Sequence, residues 1–232
     1  MGRGGLKGRS LKQKVLNLLK SGDLDHAIDQ LSQLPARHVI NPLFSFLYHP
    51  DEQIKWQAVT AMGAIVSKLA DEDLESARVI IRRLMWNLND ESGGIGWGSP
   101  EAMGEILACH EGLAREYSHV LISYTMEDWN YLEHEMLQRG LLWGIGRLAQ
   151  VRPELLKEAE PHLLPYLESE DAQVRGLAVW VAGLLNIKET SQRLESMGED
   201  HSIVQIYDRR EIQERRIMDL AGEALSRIKG NR

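Results

Sequence analysis

A small residue returns at one place in a repeated frame, at positions 63, 104, 146, 183 and 226, with intervals of 41, 42, 37 and 43 residues. Self-similarity near this period marks stacked helix pairs, each of which buries its apolar face only against its neighbours. The clearest copy is Val174-Arg175-Gly176-Leu177-Ala178-Val179-Trp180-Val181-Ala182-Gly183-Leu184-Leu185. Ile54-Lys55-Trp56 through Met62-Gly63, Ala102-Met103-Gly104, Trp143 through Gly146 and Ile217 through Ser226 follow the same frame. Glycine inside a helix costs about 1 kcal/mol of propensity. Its return in register is explained if a neighbouring helix must approach the backbone closely.

The frame predicts first helices over 36–48, 73–88, 113–126, 154–168 and 188–198. It predicts second helices over 51–69, 99–110, 129–150, 171–186 and 208–229, with breaks at Pro35, Pro50, Gly112, Pro153 and Gly198. Two leading helices, 10–20 and 24–33, cap the stack. Ile203–Tyr207 could form a strand, but alone it would have nothing to pair with, so it reads as loop or early helix. The expectation is one all-α domain over 1–232, a right-handed α-α superhelix. It comprises a flexible tail (1–9), a cap (10–34) and five repeats (35–229).

The 163–185 stretch has an apolar first helix, the acidic turn Glu168-Ser169-Glu170-Asp171 and a Val-Arg opening to the second helix. It resembles a HEAT repeat of the short bacterial kind, similar to those named after phycobilisome lyases. Arg82–Leu107 resembles a stretch found in a small group of bacterial HEAT-like proteins. Neither resemblance implies a reaction, because solenoid repeats serve many roles.

Charge and composition narrow the setting. Cys109 is the single cysteine, so no internal disulfide can form, which suits a reducing cytoplasm. No run approaches the roughly 18 apolar residues of a membrane span, and the basic N-terminus lacks the apolar stretch of a signal sequence. Residues 1–20 hold six basic residues and no acid, and residues 209–232 carry +3. Against a total of −7, residues 21–208 therefore hold −16. A body of that charge disfavours nucleic acid, whose phosphates require Lys and Arg.

The register breaks once. In the second repeat the Val-Arg position falls inside Asn89-Asp90-Glu91-Ser92-Gly93-Gly94-Ile95-Gly96-Trp97-Gly98. The helix is expected to start late, with Ser99 as N-cap and Pro100 at its first position. This loop reads in three ways: a flexible turn with Trp97 tucked onto the stack, a ligand or peptide notch, or a phosphate loop. For the notch, Trp86 and Trp97 are the aromatic anchors, Gly94 and Gly96 shape the loop, and Asp90, Glu91, Glu101 and Glu105 make it acidic. The phosphate reading lacks both the spacing and the lysine of known phosphate loops.

Other chemistry fits less well. The di-iron deoxyhypusine hydroxylases, which are HEAT-like, use four His-Glu pairs in register. Here only His110-Glu111 and His134-Glu135 occur, out of register, so no metal site is expected. Cys109 beside His110 points about 100° away from it on a helix and reads as a small packing residue. HEAT-like DNA glycosylases hold a nucleoside with concave Trp and Asp in a basic groove, unlike this acidic body.

The function expected is a non-catalytic cytoplasmic scaffold that binds a protein or peptide, without cofactor, metal, nucleic acid or membrane. The alternative is a small-molecule or cofactor-handling enzyme resembling the bilin-lyase HEAT proteins, with its pocket at residues 90–99.

Overall fold

A computed structural model describes residues 8–89 and 96–230. Twelve helices and one hairpin are assigned among them. The chain divides into two compact units, Met1–Ala102 and Met103–Arg232.

The first unit contains α1 (Gly8–Leu19), α2 (Leu24–Ser32), α3 (Ala36–Phe46), α4 (Glu52–Glu72), α5 (Leu74–Leu88) and the start of α6 (Ser99–Cys109). Of the expected tail, residues 1–7 lie outside the described residues, while Gly8 and Arg9 already belong to α1. Carboxylates set the helix starts. Asp23 accepts from the His26 amide at 2.9 Å, Asp51 from Gln53 at 3.0 Å, and Asp73 from Ser76 at 3.1 Å. First helices α1 and α3 pack side by side, as do α2 and α4, and α4 joins α3 to α5. Val15, Leu31, Leu43, Val59, Met62, Val66, Ile81 and Leu84 form the buried core between them.

The second unit continues α6 and adds α7 (Glu111–Ser123), α8 (Glu135–Ala149), α9 (Glu160–Leu163), α10 (Ala172–Leu185), α11 (Ser191–Ser196) and α12 (Ile217–Gly230). Second helices α8, α10 and α12 pack in sequence. The small-residue register does what the frame implied at three of its five positions. A Cβ on Gly104 would lie 2.6 Å from the Gly144 carbonyl oxygen, one on Gly146 would overlap the Trp180 ring, and one on Gly183 would meet the Ala224 Cβ at 2.8 Å. In the last copy the expected small residue, Ser226, is exposed, and Ala224 holds the contact instead.

Several expectations fail here: the helix expected over 129–150 starts only at Glu135, and 188–198 is a 3-10 turn followed by the six-residue α11. Residues 154–168 do not form one helix, because Pro153, Pro161 and Pro165 cut them into 3-10 turns around the four-residue α9. Residues 203–207 are a strand with a partner: β1 (Ile203–Asp208) pairs antiparallel with β2 (Glu211–Arg216), and α12 starts only at Ile217. The charged Glu211–Arg216 run hid that partner strand. Packing explains the choice: Val204 fills the space over Gly176, the Trp143 indole donates to the Tyr207 carbonyl at 2.7 Å, and the Gln173 amide bonds the Gln205 backbone at 2.5 and 2.8 Å. Gln173 thus satisfies the edge of β1 that β2 does not reach.

The hairpin turns on Arg209 and Arg210, with φ of 48° and 69°. Two-residue hairpin turns with both φ positive favour Asn-Gly, because side chains with a full Cβ strain there. Arg209→Asn with Arg210→Gly is expected to stabilise the fold by about 1 kcal/mol, read as a rise in thermal midpoint. A fall would show that the two arginines make contacts worth more than the strain.

Cations on the second helices pair with carboxylates at the start of the next second helix or in the turn ahead of the hairpin. Arg139 of α8 pairs with Asp171, the N-cap of α10, and Arg175 of α10 pairs with Asp200 at 2.9 Å. Burial pushes both carboxyls up, but Arg139 and the Val174 amide outweigh it at Asp171, and Ser202 and Arg175 outweigh it at Asp200. Both acids are held below the usual range.

Candidate functional site

In the first unit the candidate site lies where α5 ends and α6 begins. Asp90, Glu91 and Gly94 of the expected notch lie outside the described residues. Trp86 is 75% exposed on the outer face of α5, one turn beyond Arg82. Arg82 reaches back to Glu75 at 2.5 Å, and Arg83 donates to Asn41 Oδ1 at 2.6 Å and stacks on the Phe44 ring at 3.9 Å. Trp97 is 41% exposed and Gly96 is buried.

Gly98 fixes where the loop meets the helix. Its φ is +77°, and a Cβ there would lie 2.8 Å from the Leu47 carbonyl carbon, so both conformation and space require glycine. Its carbonyl accepts the first α6 bond, from Ala102 at 3.0 Å. Gly98 is therefore the N-cap and Ser99 the first helical residue, one place earlier than the sequence reading had it. The Ser99 hydroxyl is buried and has no hydrogen-bond partner among the described residues.

Glu101 and Glu105 do not stand open as an acidic lining. Glu101 is buried and pairs with Lys55 Nζ at 3.3 Å, leaving its Oε2 without a partner among the described residues. Burial works to lower the Lys55 pKa, but Glu101 and then Glu52 outweigh it and hold the ammonium above its ordinary 10.5. Lys55 escaped the sequence reading, although a signal was available: it occupies the frame position of Arg175, the other cation that follows the helix opening.

In the second unit Glu105 is buried against Arg147, with 2.6 Å between Oε2 and Nε. The Cys109 thiol donates to Glu105 at 3.5 Å. Although Cys109 has exposed surface, the protein packed around it and then the Glu105 charge push its pKa up to about 12. A thiol so held is almost wholly protonated at neutral pH and is a poor nucleophile. Iodoacetamide at pH 8 is expected to alkylate Cys109 at least tenfold more slowly in the folded protein than in the denatured chain. Comparable rates would refute the assignment.

Both His-Glu dipeptides have a capping role. His110 Nδ1 accepts from the Leu113 amide at 3.0 Å, and His134 Nδ1 from the Met136 amide at 3.1 Å, so each histidine opens a helix. Each following glutamate sits in the first turn, where the helix dipole favours it. No group of three or more His, Cys, Asp or Glu among the described residues is placed to hold a metal ion. None of the described helices is long and apolar enough to cross a membrane.

Known proteins agree with this architecture. Residues 135–181 match the HEAT-like repeat family. A protein of Archaeoglobus fulgidus, described as an uncharacterized protein, is 28% identical over 186 residues, covering 78% of this chain and 92% of that one. An engineered protein superposes with a TM-score of 0.59 at 15% identity, over 98% of this chain and 95% of the other. A designed armadillo repeat protein in complex with the peptide (KR)4 gives 0.54 at 18% identity, over 94% and 99%. At those identities the likeness speaks for the fold. The α8–α10 pair within 135–181, the glycines that let second helices touch, and these superpositions agree: residues 135–181 form a HEAT-like repeat, and the chain has a helical-repeat fold similar to that of armadillo-type repeat proteins.

Proposed function

We propose that this protein is a non-catalytic cytoplasmic scaffold that binds a protein or peptide partner, with the segment around Trp86 and Trp97 as a principal contact. The observation that carries this reading is the exposure of two large aromatic side chains, 75% and 41%, one near the end of α5 and one just ahead of α6. Exposed tryptophan on a rigid helical scaffold is the residue type that most often dominates interface energy. Solved relatives in fold, a designed armadillo protein bound to a peptide among them, support peptide recognition as a use of such a surface.

The buried Lys55–Glu101 pair constrains the test, because altering Glu101 would disturb folding as well as binding. Affinity capture from the native host should compare wild type with Trp86→Ala and Trp97→Ala, each checked by circular dichroism. The expected result is at least a tenfold loss of a specific partner in one or both variants at unchanged helicity. Recovery of the same partners in equal yield by all three proteins would remove this segment from the interface.

A further inference from the structure

A second surface lies on the first-helix layer of the first unit. A groove of about 700 Å³ runs between α1 and α3. Its floor is apolar, with Leu11 and Pro42 buried and Leu34 and Pro35 beside them. Lys12, Arg37 and His38 stand exposed on its rim.

The charge of this layer departs from that of the whole chain. Helix α1 carries Arg9, Lys12 and Lys14, α3 carries Arg37 and His38, and neither contains an Asp or Glu. One rim cation, Lys12, and the groove-lining Asn41 are also held in place. The Lys12 ammonium sits 5.4 Å from the Phe46 ring centre, and Asn41, which lines the groove, binds the Arg83 guanidinium stacked on Phe44. At the mouth, α3 begins at Pro35 with no side-chain cap and no acid in its first turn. The partial positive charge of a helix start therefore adds to that of Arg37.

We propose that this groove binds an acidic peptide segment with interspersed apolar residues, belonging to a partner protein. Its carboxylates would meet Lys12, Arg37 and His38, and its apolar side chains would cover Leu11, Leu34 and Pro42. The residues ahead of Gly8 fit the groove poorly, since they add Arg3 and Lys7 and no acid. Extended nucleic acid would match the cations but not the apolar floor. This surface is separate from the Trp86–Trp97 segment, and either assignment stands if the other fails.

Fluorescence anisotropy with labelled octapeptides tests the proposal: one alternating glutamate and leucine, one alternating glutamate and serine, one alternating lysine and leucine, and an octamer of thymidylate. The glutamate–leucine peptide is expected to bind saturably, to weaken with rising salt, and to lose at least tenfold in affinity with the exposed-residue variant Lys12→Glu/Arg37→Glu. That variant should keep the wild-type circular dichroism spectrum and thermal midpoint. Absent or variant-insensitive binding overturns the proposal. Equal affinity for the glutamate–serine peptide or the oligothymidylate overturns it too, since the apolar floor would then take no part. Equal binding of the lysine–leucine peptide would likewise remove the charge argument.

Discussion

Glu101→Ala is expected to lower the unfolding free energy by about 3 kcal/mol at neutral pH, the cost of leaving one partner of a buried ion pair unmatched. The carboxylate and the ammonium are both largely withdrawn from water, with side-chain exposures of 5% and 13%. Glu52, 3.5 Å from Lys55 and half-exposed, compensates only weakly. Because Glu101 raises the Lys55 pKa, this contribution is fully present below the lysine's ordinary 10.5 and is lost as pH rises through the raised folded value. The gap between wild type and Glu101→Ala in chemical denaturation should therefore hold from pH 6 to 9 and narrow above about 10.5. Lys55→Met/Glu101→Leu should recover most of the loss, since a buried pair can be replaced by apolar residues of similar size at little cost. A loss under about 1 kcal/mol for Glu101→Ala would mean that Lys55 finds water easily and that the pair is a surface bridge.

Gly104→Ala is expected to destabilise the protein by about 2 to 3 kcal/mol, against the direction of helix propensity. Alanine in an exposed helix is worth about 1 kcal/mol over glycine, so propensity alone predicts a gain. At position 104 the new methyl would press on the Gly144 backbone, 2.6 Å from its carbonyl oxygen and 2.7 Å from its carbonyl carbon. Backbone cannot rotate aside as a side chain can, so α6 and α8 would have to move apart, disturbing helices whose Met103, Leu107 and Leu141 are fully buried. Gly222 of α12 is the control. It is exposed and a Cβ there meets nothing within 4 Å, so Gly222→Ala should stabilise by about 0.5 to 1 kcal/mol. The two opposite signs, read as shifts in denaturant midpoint, separate close approach from propensity. A gain in both would dismiss the close approach.

The repeat register is legible in the sequence because it follows from local rules that leave a trace in most copies. Asp51 and Asp171 announce helix starts, apolar residues recur at helical spacing, and small residues return where second helices meet. The helix pair α3–α4 and helices α6 and α10 fall within a few residues of the frame for that reason. A single proline acts as a local break, as at Pro35, which is the N-cap residue at the start of α3. Where three act together, at 153, 161 and 165, the first helix dissolved into 3-10 turns although its apolar pattern was intact.

What the sequence by itself determined, then, is the helical repeat, its period and the start of α6 within a residue of Ser99. These depend on residues within one or two helical turns of each other. Tertiary structure decided everything that rests on partners far apart in the chain. Glu101 and Glu105 look like open acids until Lys55 and Arg147, 46 and 42 positions away, are brought against them. The 203–208 strand has no visible partner until Gly176, Trp143 and Gln173 give the hairpin a floor and an edge. Lys12 of α1 and Arg37 of α3, submerged in a chain of net charge −7, come to the rim of one groove only because α1 packs beside α3. Net charge is a sum over the chain, whereas binding responds to the charge on one face, and folding assigns each residue its face.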